Sequence, residues 1–195
     1  MEIKDPLFEG KTIRLSSINY EKDAEIESRW THDPETMRLL RPEPVRPLTP
    51  AQVKKKYEAI EKEEEESKSL FHFTIRLCED DRLVGIARLN WVDWANGNAH
   101  LSIAIGDPAD QGHGYDAEAL NLLMNYAFTE LNLYRLSAEI VEFNEAGLQL
   151  FRRAGFVEEV RRRQAQDRSG QRWDVLHLGI LRSEWEALAG ALEHE

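Results

Sequence analysis

At 195 residues, with 42% hydrophobic and 31% charged side chains, the chain has the length of one domain and can bury a substantial core. Its formal charge of −11 argues against a nucleic-acid binder, whose affinity comes from neutralising phosphates with Lys and Arg, and suits a cationic substrate. No apolar run approaches the roughly 18 residues of a membrane span, and the charged start MEIKDPLFEG is no secretory signal, so a cytoplasmic location is expected.

Lys11 to Ile18 alternates as a first strand, and Asn19 caps a helix expected to run to about Trp30. RPEPVRPLTP places four prolines between Arg41 and Pro50, which predicts an extended or turning loop. Thr49, Pro50 and Gln52 then supply an N-cap, a first-turn proline and a capping-box partner for a long helix to about Ser67. Its Glu63 to Glu66 run reads as a solvated face. Leu70 to Leu77 and Arg82 to Trp91 read as a hairpin pair turned by Glu79, Asp80 and Asp81. The lone cysteine, Cys78, is expected in the apolar strand as a small core residue rather than a nucleophile.

Asn96-Gly97 is a turn signal leading into the most informative stretch, Ala99 to Leu131. Ala99, Leu101, Ile103 and Ile105 alternate with His100, Ser102, Ala104 and Gly106, the period of a half-buried strand. Leu120, Leu123, Ala127 and Leu131 then recur at helical spacing, leaving Asn121, Asn125 and Glu130 for solvent. Between strand and helix lies QGHGYD, comprising Gln111, Gly112, His113, Gly114, Tyr115 and Asp116. Glycines at a helix entrance let the backbone approach a ligand, and the free amides of the first turn favour an anion such as phosphate. The third glycine of a dinucleotide fingerprint is missing, and no Lys-Ser or Lys-Thr follows as in a P-loop.

Further along, YRLSAEIV reads as a strand, and NEAGLQLFRRAGF as a helix capped by Asn144, with Leu148 and Phe151 on one face and Gly155 as its stop. Two closing strands complete the chain. Between Arg152 and Arg172 there are seven arginines, of which Arg152 and Arg153 lie next to the second motif and are the better candidates to meet an anion.

Gln111, Gly114 and the helix start at Tyr115 resemble the Gln/Arg-x-x-Gly-x-Gly/Ala signature with which the GNAT superfamily of acyltransferases holds the pyrophosphate of acetyl-CoA. Asp116 departs from that signature. The Asn144 to Phe156 segment is similar to the downstream GNAT segment, and one helix and one strand separate the two, as in that family. The flanks, GKTIRLSSINYEKDAEIESRW and RSGQRWDVLHLGILRSEWEAL, resemble the branch containing ribosomal-protein N-terminal acetyltransferases. The resemblance implies a single α/β domain over residues 1–195, with a central mixed, mostly antiparallel sheet of about seven strands flanked by helices. It also implies acetyl-CoA as acyl donor, an amine acceptor and a homodimer. Backbone groups of Ile103, Ala104 and Ile105 would meet the donor's pantetheine arm and thioester, and residues 111–116, Asn144 and Phe151 would complete the cofactor site.

Acyl transfer to an amine needs a base for the nucleophile, a donor for the oxyanion and a fate for the thiolate. His100, on the polar side of the strand before the phosphate loop, is the leading base, because imidazole needs little tuning to work at pH 7. Asp93, between Trp91 and Trp94, is the second candidate if desolvation raises its pKa. Phe151 stands where family members commonly carry a Tyr general acid, so the thiolate would leave unprotonated or take a proton from elsewhere. No HExxH or similar spacing points to a metal. The expected function is acetyl transfer to a primary amine, such as a protein N-terminus or a polyamine, by direct attack. A non-catalytic acyl-CoA-binding protein, motivated by Asp116 and Phe151, and an interaction module using the Trp91 to Trp94 surface remain the alternatives.

Overall fold

The structure is a computed structural model that describes residues 7–40 and 45–192. Residues 41–44 of the proline-rich segment, the first six residues and the last three lie outside the described residues. Seven strands form one sheet: β1 (Ile13–Ser16), β2 (Phe71–Leu77), β3 (Leu83–Asp93), β4 (Asn98–Ile105), β5 (Arg135–Val141), β6 (Val157–Arg168) and β7 (Gln171–Leu181), in the order β1-β2-β3-β4-β5-β7-β6. Every neighbouring pair is antiparallel except β4 and β5, so the expected mixed, mostly antiparallel architecture is the one observed.

The local signals act as their chemistry requires. Asn19 accepts the Lys22 amide at 3.2 Å and starts α1 (Tyr20–Trp30). Thr49 and Gln52 form a reciprocal capping box at the head of α3 (Pro50–Ser67). Gly97 takes φ 64° in the turn before β4. On α4 (Tyr115–Asn125), Leu120 and Leu123 are fully buried beneath the sheet, each burial contributing about 2 kcal/mol. The helix continues through a π-helical turn, Tyr126–Glu130, which keeps Ala127 and Phe128 in the same core.

Three features differ from expectation. A short helix, α2 (Pro34–Leu40), follows α1, because Asp33 caps the amide of Glu35 at 3.1 Å and Pro34 suits a first turn. After α5 (Glu145–Arg153), which carries the Asn144 motif, and the closing β6–β7 hairpin, α6 (Arg182–Leu192) ends the described chain and packs Trp185 on Phe128. Cys78 lies in the turn after β2 rather than in the strand, half-buried, with burial pushing its thiol pKa up. That environment disfavours the thiolate.

Two helices, α1 and α3, cover the sheet face opposite α4. A buried ion pair ties α1 to the sheet: both carboxylate oxygens of Asp23 accept from Arg76 Nη2 on β2, at 2.7 and 2.6 Å. This anchoring matters for function because α1 and α2 form one wall of a cavity on β4.

Candidate active site

Strand β4 is the axis of the site. It pairs with β5 only from Asn98 to His100, opposite Arg135 to Ser137, whereas its pairing with β3 continues to Ile105. The Gly106 amide donates to the Val84 carbonyl on the β3 side at 3.0 Å. Since successive strand residues turn their polar groups to opposite edges, Ile103 and Ile105 present N–H and C=O to the unpaired β5 side. Ala104 turns its own backbone towards β3. The structure therefore corrects the expectation for Ala104, whose backbone is paired with β3, and leaves the outward groups of Ile103 and Ile105 without a strand partner on that edge.

On the α4 face, a cleft of about 540 Å³ opens along this unpaired edge. It brings together Ile103, Ile105, Gln111, Gly112, Gly114, Asp116 and Asn144, residues up to 41 positions apart in the expected cofactor set. Asn144 caps α5 by accepting the Gly147 amide at 2.9 Å, which sets this helix beside the loop. Gly112 and Gly114 take φ 78° and 81°, a region that L side chains rarely adopt, and a Cβ on either would meet no protein atom within 4 Å. The open space and the α4 amides fit a pyrophosphate. A bidentate ion pair secures the approach to the loop: Arg82 Nη1 and Nη2 donate to Asp110 at 2.6 and 2.8 Å, at the end of the short turn Pro108–Asp110.

Other expected cofactor residues keep their side chains out of the cleft lining. His113 stacks on Tyr115, with ring centroids 5.5 Å apart, and neither lines the cleft. Phe151 is buried edge-to-face against Phe156, so its role is core packing rather than contact with a cofactor. Its helix turns that side chain inward because Leu148 and Phe151 form the apolar stripe. Of the arginines, Arg153 borders the cleft, Arg152 pairs with Glu158 at 3.4 Å, and Arg161 is engaged by Glu142, Glu158 and Asp174.

Asp116 folds back on its own helix, its Oδ1 accepting the Ala117 amide at 2.9 Å. A first-turn amide that an anion would use is thus occupied by a carboxylate. Asp116→Ala is expected to tighten acetyl-CoA binding about threefold by releasing that amide and removing a like charge, and added salt should shrink the gain. Calorimetry at two ionic strengths checks this; weaker binding would show that the carboxylate shapes the loop for its ligand.

Across β4, His100 shares a face with Ser102 and Ala104. It sits where β4 and β5 part, its ring 5.3 Å from that of Trp91, and burial lowers its pKa below the usual 6.5, partly opposed by Glu139 and reinforced by His177. Asp93 is a correction. Its Oδ1 accepts the amides of Ala95 and Asn96 at 3.0 and 3.2 Å, and its Oδ2 accepts from Asn96 Nδ2 at 2.7 Å. These bonds hold the exposed carboxyl below the usual range, the reverse of what a general base at neutral pH needs. Trp91 and Trp94 are exposed, and Trp94 Nε1 donates to the Lys68 carbonyl at 2.9 Å.

On the same face as Ser102 lies a smaller cavity of about 100 Å³, bounded by Trp30 and Glu27 of α1, Met37 of α2, Ile86 and Arg88 of β3, and Ser102 and Ala104 of β4. Ile103 borders both cavities, so they approach each other across one strand. Apart from Ala104, sequence reasoning did not single out these residues for a site, because they come from four elements, with no shared spacing to mark them.

The Acetyltransferase (GNAT) domain family model matches residues 13–157. An uncharacterized N-acetyltransferase, p20, from Bacillus licheniformis is 30% identical over 113 residues, covering 58% of this chain and 63% of that protein. A spermidine N(1)-acetyltransferase from Vibrio cholerae is 29% identical over 103 residues, covering 53% of this chain and 59% of the relative. The chain thus aligns with about three fifths of the length of these relatives. In structure, it resembles the crystal form of a Vibrio cholerae spermidine N-acetyltransferase in complex with CoA and spermine, with a TM-score of 0.77, 21% identity, and coverage of 89% of this chain and 98% of that one. That likeness is one of fold. The family match encloses the glycine loop, the unpaired edge of β4 and both cavities, and on that match the chain belongs to the GNAT acetyltransferase family.

Proposed function

We propose that this protein transfers an acetyl group from acetyl-CoA to a primary amine by direct attack. The observation that carries the reading is the continuous cleft in which the 111–116 loop, the unpaired edge of β4 and the Asn144 cap lie together, bordering the second cavity at Ile103. In this reading the amides of residues 112–116 hold the pyrophosphate, and Ile103 and Ile105 offer amides to the acyl arm and its carbonyl oxygen. The amine nitrogen forms its bond to the acyl carbon as the carbon–sulfur bond breaks and the electron pair leaves with the thiolate. His100 takes the proton from the amine side. Phe151 has no proton to give, and thiolate is a good leaving group without one.

A second reading, an acyl-CoA-binding protein without turnover, is favoured by the Asp116 carboxylate on the Ala117 amide. Calorimetry with acetyl-CoA, followed by thiol release in the presence of primary amines, separates the two. Saturable binding with amine-dependent thiol release is expected. Binding without thiol release would favour the second reading, and no binding would remove both.

A further inference from the structure

A bulge near the end of β3 carries one side chain across the sheet. Asn90 pairs with His100 and Asp93 with Asn98, so β3 advances three residues where β4 advances two. Trp91 sits in this bulge with φ 50°, in the left-handed region that a bulky residue adopts only under constraint. Regular alternation would have put Trp91 in the α4-side core beside Leu89. Val92 takes that place instead. The indole of Trp91 lies on the opposite face, 71% exposed, with its ring centroid 5.3 Å from that of His100.

Contacts beyond Trp91 hold the bulge in place. The Val92 amide donates to the Ser69 carbonyl at 2.9 Å, Trp94 Nε1 donates to the Lys68 carbonyl at 2.9 Å, and Asp93 accepts the amides of Ala95 and Asn96. None of these bonds uses the Trp91 side chain. The fold thus keeps a strained residue whose indole is mostly in water, a combination that concentrates where a side chain serves a ligand. The indole is one wall of a cavity of about 220 Å³, bordered also by Ile60 of α3, Leu70, and Arg88 and Asn90 of β3. Asn90 is the cross-strand partner of His100, and Arg88 also lines the smaller cavity beside Ser102. The space therefore adjoins the face on which His100 would receive the amine. A cavity of about 150 Å³ accepts benzene, so one of about 220 Å³ accommodates an aromatic ring and a short link.

We infer that Trp91 is a specificity-determining residue that seats a planar apolar group of the acceptor, making the preferred substrates primary amines with an aromatic ring a short carbon link from the nitrogen. The inference rests on the proposed acetyl transfer. The ring lies against the indole, where aromatic pairs gain attraction beyond the area they bury, and the link carries the nitrogen towards His100. A regular β3 would leave this face without an aromatic surface beside the base, because position 91 would point into the core.

Calorimetric titration of 2-phenylethylamine into the protein with saturating CoA, where no acyl group is available for transfer, reads the seat directly. Saturable binding is expected, about fivefold or more tighter than that of isopentylamine, an amine of similar reach without a ring. Trp91→Gly should weaken it about fivefold or more and Trp91→Phe should retain most of it, with CoA affinity unchanged in both. Because glycine enters the left-handed region freely, Trp91→Gly should melt no lower than the wild type, which separates loss of the seat from loss of the fold. With acetyl-CoA, thiol release should rank the two amines in the same order, and the loss in Trp91→Gly should fall on KM rather than kcat. Absence of 2-phenylethylamine binding, equal affinity for the two amines, or unchanged affinity in a folded Trp91→Gly protein would overturn the inference. So would a lowered melting midpoint, which makes the indole a packing residue, or a changed molecular mass by light scattering, which assigns it to an interface between copies of the chain. Ring-selective, Trp91-dependent binding without thiol release would support the seat and remove the proposed acetyl transfer.

Discussion

Replacing His100 with Ala is expected to lower kcat by roughly 10², about 2.7 kcal/mol of transition-state stabilisation, while leaving acetyl-CoA affinity intact. The residue stands at the last paired position before β4 leaves β5, on the face that carries Ser102 and the smaller cavity. A general base must be unprotonated before it can act. Burial lowers the His100 pKa below 6.5, so the neutral form prevails at pH 7. The rate should therefore rise with pH through an apparent pKa below 6.5 and level off above it, and the Ala variant should lack that limb. Phe151→Tyr should not create such a limb, because the ring at that position is buried against Phe156. A His100→Ala enzyme with full turnover and an unchanged profile would make His100 a structural residue of the strand and pass its role to water.

Gly114→Val is expected to weaken acetyl-CoA binding at least tenfold, about 1.4 kcal/mol. Gly114 precedes α4 with φ 81°, and a β-branched residue is strained there, so the loop must re-form with its amides redirected. Any side chain would also project into space that no protein atom fills within 4 Å, the space left to a phosphate. Gly170 is the matching control, because it takes φ 74° in the β6–β7 turn, again with open space around it, far from the cleft in sequence and absent from its lining. Gly170→Val should carry a similar backbone penalty in thermal melts without loss of acetyl-CoA affinity. Equal affinity in a folded Gly114→Val protein would exclude the loop as the phosphate site.

How the site residues divided follows from the range of the interactions involved. Asp93 reads in sequence as a carboxylate flanked by two tryptophans, which suggests desolvation. In the fold, the turn exposes it and three hydrogen bonds from Ala95 and Asn96 stabilise its charge. Phe151 matches a motif position by spacing, but which way a helix turns its stripe depends on the neighbouring strand, and here Phe156 receives it. Ala104 turns its backbone to the other edge from Ile103 and Ile105, a property set by pairing with β3.

What the sequence determined by itself are features set within a few residues: the Asn19 and Asn144 caps, the Thr49–Gln52 box, the Asn96-Gly97 turn, the alternation of residues 99–105 and the glycines that enter α4. Each depends on backbone propensity or on hydrogen bonds between near neighbours, so the side chains in the segment suffice. Tertiary structure alone decided where β4 parts from β5, that Arg82 grips Asp110 across 28 positions, and that Trp30, Met37, Ile86 and Ser102 enclose one cavity. It also decided that His100 is buried enough to lower its pKa and that Glu27 is matched by Lys56 and Tyr57 from another helix. Burial, pairing and charge balance arise from the simultaneous packing of segments far apart in the chain, and no spacing within one segment encodes them.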